Sequence, residues 1–263
     1  DSATAGFSYE FDIDDVVMLN HHNFKLNETV AEDVTLPSLI DGLNTIDYRY
    51  EGSFPTFEKG ASKEVALSDD ILTQSTYFDM MQQFIKEDDV LLAEQGTSFF
   101  GAYDLALPKN MTFIGQPLWG SIGYTLPATL GTQMANPNRR NILLIGDGSL
   151  QLTVQELSTM IRQDIKPIIF VINNDGYTVE RLIHGMEETY NDIRMWDYKA
   201  LPKVFGGDNV VVHDVKTSND LQNVFDAIKA APEQLHFTEV TMKWDDAPAK
   251  LRDISKAFAA QNK

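Results

Sequence analysis

The sequence of 263 residues predicts an α/β protein built on a parallel sheet with helices on both faces. Its strands are short, continuously apolar runs, which are typical of strands buried on both sides. Amphipathic stretches separate them, so each strand reaches the next through a helical crossover. The hydrophobic residues, 43% of the chain, are enough for such a core. Ligands of these sheets bind at the carboxyl ends of the strands, so functional residues are expected there.

The first part of the chain predicts a separate, smaller structure. Residues 16–19 and 24–26 are strand-like apolar runs, and residues 36–43 place leucine and isoleucine at helical spacing. Residues 48–62 are rich in glycine, proline and polar side chains and have no periodicity. We therefore predict a linker there.

The pattern becomes regular after the linker. Ser68 followed by two aspartates is a typical helix start, and the next apolar runs are bounded by polar or glycine-rich segments. Predicted helices cover residues 68–86, 120–134, 150–162 and 250–261. Predicted strands cover residues 90–94, 112–114, 141–145, 167–172 and 236–242.

Composition excludes several classes of function. The 39 acidic and 21 basic residues give a net charge of −18, which would repel nucleic acid and anionic membranes, so neither is an expected partner. The absence of cysteine excludes disulfides and thiolate chemistry and is compatible with the cytoplasmic location that we predict. No apolar run approaches the roughly 20 residues of a transmembrane helix.

Two strand ends carry the residues with the clearest chemistry. The first reads Ile-Gly-Asp-Gly-Ser over residues 145–149, and the second reads Ile-Asn-Asn-Asp-Gly-Tyr over residues 172–177. Gly146 and Gly148 let a ligand approach the backbone where a helix begins, a natural phosphate site. Asp147, the Asn174 side chain and the Gly176 carbonyl are hard oxygen ligands. Neighbouring parallel strands would bring these groups together, so we predict a Mg²⁺ site that holds a diphosphate.

Two other interpretations of these residues remain open. Gly-Asp-Gly is often only a turn. It could also be the dinucleotide turn of a nicotinamide-dependent oxidoreductase, although the third glycine of that fingerprint is missing and Asp175 comes late for a ribose-binding acid.

Three longer runs carry a resemblance to a known family. Residues 116–125 (Gln-Pro-Leu-Trp-Gly-Ser-Ile-Gly-Tyr-Thr), 146–157 and 173–181 resemble the thiamine-diphosphate-dependent 2-oxo acid decarboxylases, which include pyruvate, indolepyruvate and branched-chain 2-keto acid decarboxylases. The resemblance implies a parallel-sheet diphosphate-binding domain over residues 68–263. It also implies that residues 1–60 are the end of a preceding α/β middle domain plus the linker. The N-terminal pyrimidine-binding domain would then be absent from this chain, which has no initiator methionine, and we expect the chain alone to be inactive.

The resemblance implies roles for individual residues. Asp147, Asn174 and Gly176 match the Mg²⁺ ligands. Ile122 matches the apolar side chain that bends the cofactor, and the Gly120 carbonyl matches the acceptor of its amino group. The further residues implied in cofactor binding are Thr97, Ser98, Ser121, Gly146, Gly148, Ser149, Tyr177 and Thr178.

Glu180 matches the catalytic glutamate of the family. A carboxyl in an enclosed, partly apolar site can be held protonated near neutral pH, as general acid catalysis requires. From chemistry alone, Glu180 could equally be an acidic residue that stabilises the first turn of a helix.

The substrate pocket and the histidines complete the predicted site. The resemblance implies a pocket lined by Gln95, Phe99, Phe100, Val179, Ile254 and Phe258, with Ser2 as a further neighbour. The spacing of Ile254 and Phe258 is equally typical of a core-packing helix. His21 and His22 resemble the family's catalytic pair but lie in the wrong domain, so we predict surface residues. His184, His213 and His236 lack metal-ligand spacing and are predicted to be structural.

The predicted function is non-oxidative decarboxylation of a 2-oxo acid to an aldehyde and carbon dioxide, with thiamine diphosphate and Mg²⁺ as cofactors. In this family the active site lies between subunits, so a homo-oligomer, a dimer or a tetramer, is expected. The open alternatives are a nicotinamide-dependent oxidoreductase and a non-catalytic cofactor-binding module. Within the preferred class, acetohydroxyacid-forming carboligation also stays open.

Overall fold

The structure, a computed structural model, describes residues 12, 14, 16–19, 22–53 and 63–261, with side chains as far as residue 256. The chain divides into two compact units, Asp1–Glu58 and Lys59–Lys263. Their boundary falls within the predicted linker, of which residues 54–62 lie outside the described part of the chain.

The first unit contains a small antiparallel sheet and one helix. The strands are β1 (Val17–Leu19), β2 (Asn23–Leu26) and β3 (Thr29–Glu32), and the helix is α1 (Leu36–Leu43). The prediction of two strands and a helix is confirmed, but it misses β3. A two-residue turn joins β2 to β3, and Asn27 adopts a left-handed conformation there (φ 52°), as asparagine does readily in turns.

The second unit is a six-stranded sheet whose neighbouring strands are all parallel. Its strands are β4 (Val90–Ala93), β5 (Thr112–Ile114), β6 (Asn141–Gly146), β7 (Ile168–Asn173), β8 (Val211–Val215) and β9 (His236–Thr241). Its helices are α2 (Gln74–Phe84), α3 (Thr97–Ala102), α4 (Thr125–Ala135), α5 (Asp147–Thr153), α6 (Gln155–Arg162), α7 (Thr178–His184), α8 (Leu201–Val204), α9 (Ser218–Ala230) and α10 (Ala249–Gln261). The predicted fold class is confirmed.

Helices cover both faces of this sheet. On one face, alternate strand residues such as Leu91 and Phe170 pack with residues of α2, α3 and α9. On the other face, Leu92 and Ile169 pack with residues of α4, α5 and α6. Each fully buried side chain of this size stabilises the fold by about 1.5–3 kcal/mol. The continuous apolar runs therefore reflect a sheet whose two faces are both covered by apolar side chains.

Two predicted helices begin too early. α2 begins at Gln74 rather than residue 68, because the Thr73 side chain caps it by accepting from the Thr76 N–H (3.2 Å). The Ser68 N–H instead donates to the side chain of Ser218 (2.7 Å). α4 begins at Thr125 rather than residue 120, because the two glycines before it have left-handed φ angles that a helix excludes.

Other differences concern shorter elements. The predicted helix 150–162 is two helices, α5 and α6, which meet at Val154. The prediction misses α3, α7 and α8, which have seven residues or fewer and too few turns for a readable period. It also misses β8 and α9, although α9 opens with a capping box between Thr217 and Asp220 that the sequence contains.

The strand order places a crevice at the centre of the sheet. The sheet reads β5-β4-β6-β7-β9-β8, so the chain goes outward from β4 to β5 and returns to β6 on the other side of β4. Ligands of open α/β sheets bind at such a reversal, beyond the carboxyl ends of the strands. The topology alone therefore points to the loops after β4 and β6, and β7 is the next strand beside them. Within the described residues, no helix combines the length and apolar character that a membrane span requires.

Candidate functional site

A cavity of about 240 Å³ lies at the crevice beyond the carboxyl ends of β4, β6 and β7. Three loops and one residue of the segment after β5 form its wall. The residues that line it are Gln95, Gly96, Thr97, Ser98, Ile122, Gly146, Asp147, Gly148, Ser149, Asn174, Gly176, Tyr177, Thr178, Val179 and Glu180. Most of the residues predicted for cofactor and metal binding thus lie around one space.

Asp147 is the buried carboxylate of this cavity. One oxygen, Oδ1, accepts from the Gly148 N–H (2.8 Å), and Oδ2 accepts from the Gly176 N–H (3.0 Å). Burial raises the pKa of Asp147 to about 6, and the nearby negative charge of Asp175 adds a smaller increase, while the backbone donors lower the pKa and offset part of this rise. A cation at this carboxylate would offset the cost of burying its charge.

Asn174 presents an oriented amide beside Asp147. Its Nδ2 donates to Thr178 Oγ1 (2.9 Å), and that hydroxyl donates to the Trp244 carbonyl (2.8 Å). With the amide nitrogen engaged, Oδ1 is the atom that remains to accept from a donor or to bind a metal. Thr178 therefore sets which end of the Asn174 amide is offered to a ligand.

The loop between β7 and α7 requires glycine at position 176. Asp175 and Gly176 both have left-handed φ angles, 60° and 115°. A Cβ atom at Gly176 would lie 2.4 Å from the Asn191 carbonyl oxygen, a contact that backbone atoms do not permit. A side chain there would displace the loop and with it the Gly176 carbonyl.

Gly148 is required for a different reason, since a Cβ atom there would lie 2.5 Å from the ring of Tyr177. This close packing joins the loops after β6 and β7. Both predicted glycine-containing strand ends are thus in direct contact.

Two buried polar atoms on the β4 side of the cavity have no hydrogen-bond partner within the described residues. They are Ser98 Oγ, whose residue is 1% exposed, and Gln95 Oε1. Thr97 and Ser98 form the first turn of α3 after Gly96, which has a φ of 122°. Unpaired buried polar atoms are costly, so a polar ligand in the cavity would satisfy groups that the protein leaves open.

Ile122 projects into the cavity from the segment between β5 and α4. Its neighbours Gly120 and Gly123 have φ angles of 61° and 84°, and the Gly123 carbonyl accepts from Thr153 Oγ1 (2.8 Å). Gly120 and Ser121, which were predicted to bind the cofactor, do not line the cavity. The apolar contribution of this segment is therefore Ile122 alone.

Glu180 lines the cavity from the first turn of α7. Its side chain is 46% exposed, and its carboxylate lies 3.3 Å from Nε2 of His184. The enclosed setting expected for a protonated glutamate is therefore not formed by the described residues of this chain. His184, predicted as merely structural, is the partner of this carboxylate.

Only some of the residues predicted for the substrate pocket line the cavity. Gln95 and Val179 line the cavity, but Phe99 and Phe100 do not. The buried Phe99 packs against Phe113 (ring centroids 5.9 Å apart). Ile254 also does not line the cavity, although α10 packs against α3 and α7. The side chain of Phe258 lies outside the described residues, as do Ser2 and His21.

Glu94 is a buried acidic residue for which the sequence suggested no role. Its Oε2 accepts from both the N–H (3.0 Å) and the hydroxyl (2.7 Å) of Thr125, and its Oε1 accepts from the Gln95 N–H (2.9 Å). It thereby joins the end of β4 to the start of α4 beneath the cavity. The available signal was an acidic residue directly after a fully apolar strand.

The remaining histidines do not form a metal site. His22 is exposed, as predicted, while His213 and His236 stack with ring centroids 5.3 Å apart. Within the described residues, no group of three or more histidine, cysteine, aspartate and glutamate side chains could hold a metal. The predicted Mg²⁺ site differs from such groups because it combines one carboxylate with an amide and a backbone carbonyl.

Comparisons with known proteins identify the family of this chain. Residues 96–240 match the family model for the C-terminal TPP binding domain of thiamine pyrophosphate enzymes. The pyruvate decarboxylase of Aspergillus terreus is 44% identical over 220 residues, which cover 81% of this chain and 37% of that protein. The alpha-keto-acid decarboxylase of Mycobacterium bovis is 45% identical over 193 residues, 73% of this chain and 34% of that protein.

A solved structure supports the fold. The thiamine diphosphate-dependent 4-hydroxybenzoylformate decarboxylase of Rhodococcus jostii superposes with a TM-score of 0.64 and 23% sequence identity, over 80% of this chain and 40% of that one. The chain spans about a third of the length of the curated relatives described above.

Proposed function

The chain belongs to the family of thiamine-diphosphate-dependent 2-oxo acid decarboxylases, and from that premise we propose its function. It supplies the diphosphate- and metal-binding part of an enzyme that converts a 2-oxo acid to an aldehyde and carbon dioxide. The observation that carries this proposal is the meeting of Asp147, Asn174 and Gly176, where the Gly176 N–H lies 3.0 Å from the Asp147 carboxylate.

The residues present fit thiamine diphosphate and Mg²⁺. A carboxylate, an oriented amide oxygen and a backbone carbonyl are the hard ligands that Mg²⁺ prefers. The unpaired hydroxyl of Ser98 would donate to a polar group of the cofactor. Without a cation, the buried Asp147 would repel a diphosphate.

In this proposal the other cavity residues contact the cofactor and transfer a proton. When bound, thiamine diphosphate supplies the carbon nucleophile and the electron sink. Ile122 gives the apolar contact that supports the cofactor, as the resemblance implies. The Glu180 carboxyl carries the proton that the product takes up, and His184 at 3.3 Å holds that carboxyl in place.

The substrate is a 2-oxo acid of the pyruvate, indolepyruvate or branched-chain type. Gln95 and Val179 are the predicted pocket residues that reach the cavity, which supports their role in substrate selection. Phe99, Phe100, Ile254 and Phe258 stay predictions for the substrate pocket.

The complete protein is proposed to be a homo-oligomer whose other parts complete the site. Glu180 remains half exposed in this chain, which supports a site that another domain or subunit covers. The segment between β5 and α4 and the helix α5, which both contribute residues to the cavity, also carry exposed large apolar side chains, and this fits a subunit interface. These include Leu118, Trp119, Tyr124 and Leu152.

Calorimetric titration of the complete protein tests the cofactor. We expect thiamine diphosphate to bind in the presence of Mg²⁺ and not in the presence of a chelator. Binding of NAD without Mg²⁺, together with no binding of thiamine diphosphate, would instead establish the nicotinamide-dependent oxidoreductase.

Steady-state assays of aldehyde formation with a panel of 2-oxo acids test the reaction. We expect turnover of at least one member of the panel by the complete protein, and none by residues 1–263 alone. Cofactor binding without turnover of any 2-oxo acid would favour the non-catalytic module.

A further inference from the structure

Arg181 is a buried cation directly beneath the predicted metal loop. Its residue is 4% exposed, and the side chain lies in α7 one position after Glu180. Its Nη1 donates to the Asn174 carbonyl (3.4 Å), and its Nη2 donates to the Asp175 carbonyl (2.5 Å). Neither contact follows from the metal or substrate roles described above.

The guanidinium also joins two other segments to this loop. Nη2 lies 2.9 Å from Oδ1 of Asp192, an ion pair that balances the buried charge. The guanidinium carbon lies 5.3 Å from the centre of the Trp244 ring, a cation–π distance. Trp244 is also the residue whose carbonyl accepts from Thr178 and so helps to orient the Asn174 amide.

Arg181 binds two consecutive backbone carbonyls of this loop, those of Asn174 and Asp175, and both residues that follow Asn174 are left-handed. The next carbonyl, that of Gly176, accepts from the Thr178 N–H instead (3.2 Å). In the proposed site, the second lone pair of this carbonyl and the Asn174 side chain are what the loop offers to the metal. Left-handed non-glycine residues such as Asp175 are strained, so this conformation needs support.

We propose that Arg181 is a positioning residue that holds residues 174–176 in the conformation required for metal and diphosphate binding. The inference rests on the proposed function, since it concerns the same metal site. Arg181 does not bind the metal, because its guanidinium has only donors. It acts by fixing two carbonyls at once with one planar group, which a lysine cannot do.

Because Arg181 is positively charged, the direction in which its removal changes the affinity for Mg²⁺ distinguishes the possible roles of this residue. A nearby positive charge repels Mg²⁺, so a purely electrostatic role would make its removal tighten metal binding. A positioning role predicts the opposite, because the freed loop must be ordered again whenever the metal binds. A purely structural role would lower stability without changing metal affinity.

The test uses the complete protein and measures the Mg²⁺ concentration that gives half-maximal binding of thiamine diphosphate by calorimetry. We expect R181M to raise it about tenfold or more, the size typical of losing a group that orients a metal ligand. R181K should raise it less, in the same direction, and kcat of R181K should recover at saturating Mg²⁺.

Arg140 provides the matched control. It pairs with Asp89, donates to the Phe84 carbonyl (2.9 Å) and lies over the Phe84 ring at 4.5 Å, all at the amino end of the sheet. R140M therefore removes a similar set of contacts far from the cavity. It should lower the melting temperature and leave the Mg²⁺ dependence as in the unchanged protein.

Several results would overturn the inference. The positioning role is excluded if folded R181M needs the same or a lower Mg²⁺ concentration for half-maximal binding of thiamine diphosphate. If R181M does not fold, the same result in R181K excludes it. An equal shift in R140M would also exclude it, because the effect would then belong to any arginine that pairs with an aspartate and binds a backbone carbonyl. If the unchanged protein binds no thiamine diphosphate with Mg²⁺, the proposed function fails first, and the inference falls with it.

Discussion

Asp147 is unfavourable for folding, and the proposed function nevertheless makes it the charged ligand of the metal. Burial of its carboxylate raises its pKa to about 6, and hydrogen bonds from the Gly148 and Gly176 N–H groups offset that rise only in part. The metal-free protein thus takes up a proton on this group as the pH falls below about 6. Mg²⁺ at the proposed site would compete with that proton, because the metal needs the ionised form.

The first prediction concerns Asp147→Asn. The variant should bind thiamine diphosphate on the order of a hundredfold more weakly at saturating Mg²⁺, since a neutral amide replaces the charged ligand. Calorimetry at pH 7.5 measures this. Asp175→Asn is the control, because it removes an adjacent exposed charge and asparagine tolerates the left-handed φ of 60°. Equal losses in both variants would contradict a ligand role for Asp147.

The second prediction concerns Glu180→Gln. We expect kcat to fall about 10²- to 10⁴-fold in the complete protein, the usual contribution of general acid–base catalysis. Cofactor affinity should stay within about twofold, because the side chain lies at the rim of the cavity and is half exposed.

His184→Gln separates this role from the contact between Glu180 and His184. It removes the partner of Glu180 and keeps the carboxylate, so its kcat should fall much less than in Glu180→Gln. Unchanged turnover in Glu180→Gln would favour a role for this residue in the helix alone, at the first turn of α7.

At the scale of elements, three strand ends determine where the site forms. β4, β6 and β7 are adjacent and parallel, so the loops after them meet around the cavity. Two buried carboxylates join these loops to neighbouring segments. Glu94, directly after β4, accepts from the Thr125 N–H, and Asp147, directly after β6, accepts from the Gly176 N–H. The short helices α3 and α7 then carry Ser98 and Glu180 to the cavity wall.

A second feature at this scale is the histidine pair that joins β8 to β9. His236 Nε2 donates to the Ala231 carbonyl (2.8 Å), and Nδ1 of His236 lies 3.0 Å from Nε2 of His213. Burial and the neighbouring ring lower the pKa of His213 to about 4.

The third prediction is that this pair destabilises the protein in acid. Because the pKa of His213 is lower in the folded state, the unfolded state binds the extra proton. The stability it contributes is present above about pH 6.5 and is lost as the pH falls toward 4. The loss should be about 1–2 kcal/mol, after allowance for partial exposure to solvent.

Chemical denaturation at pH 7 and at pH 4 measures this effect. His213→Gln keeps a donor for His236 but cannot gain a proton, so it should lose about 1–2 kcal/mol less than the unchanged protein. The same pH dependence in both proteins would show that other groups are responsible.

At the scale of the whole molecule, the protein and its proposed ligand carry charges of the same sign. The chain carries a net charge of −18, and the proposed cofactor is an anion. In the proposed site, a divalent cation held by the Asp147 carboxylate would resolve this conflict locally. Cofactor binding and metal binding should therefore be inseparable.

The fourth prediction is that the cofactor stabilises the complete protein only together with Mg²⁺. At cofactor concentrations about 100 times Kd, the gain is about 2.7 kcal/mol, equivalent to a rise in Tm of roughly 5–10 °C. Thermal unfolding with and without a chelator measures it. A full shift in Tm with the chelator present would exclude the proposed metal bridge.

The sequence by itself determined the fold class, the core strands and the two strand-end motifs. Hydrophobic runs buried on both sides have few alternatives to a parallel sheet, and glycine next to a buried aspartate or asparagine is a local signal. Short helices and helix starts were less predictable, because Thr73 and Thr125 begin their helices through contacts that periodicity does not contain.

Only the tertiary structure decided how the site is supported. Glu94, Arg181 and the exposed position of Glu180 depend on which elements pack together, and residues such as Glu94 and Thr125 are 31 positions apart. The same holds for Phe99, which packs in the core rather than at the cavity. Local chemistry indicates which groups can bind a ligand, but burial and orientation are properties of the packed chain, so they decide which groups do.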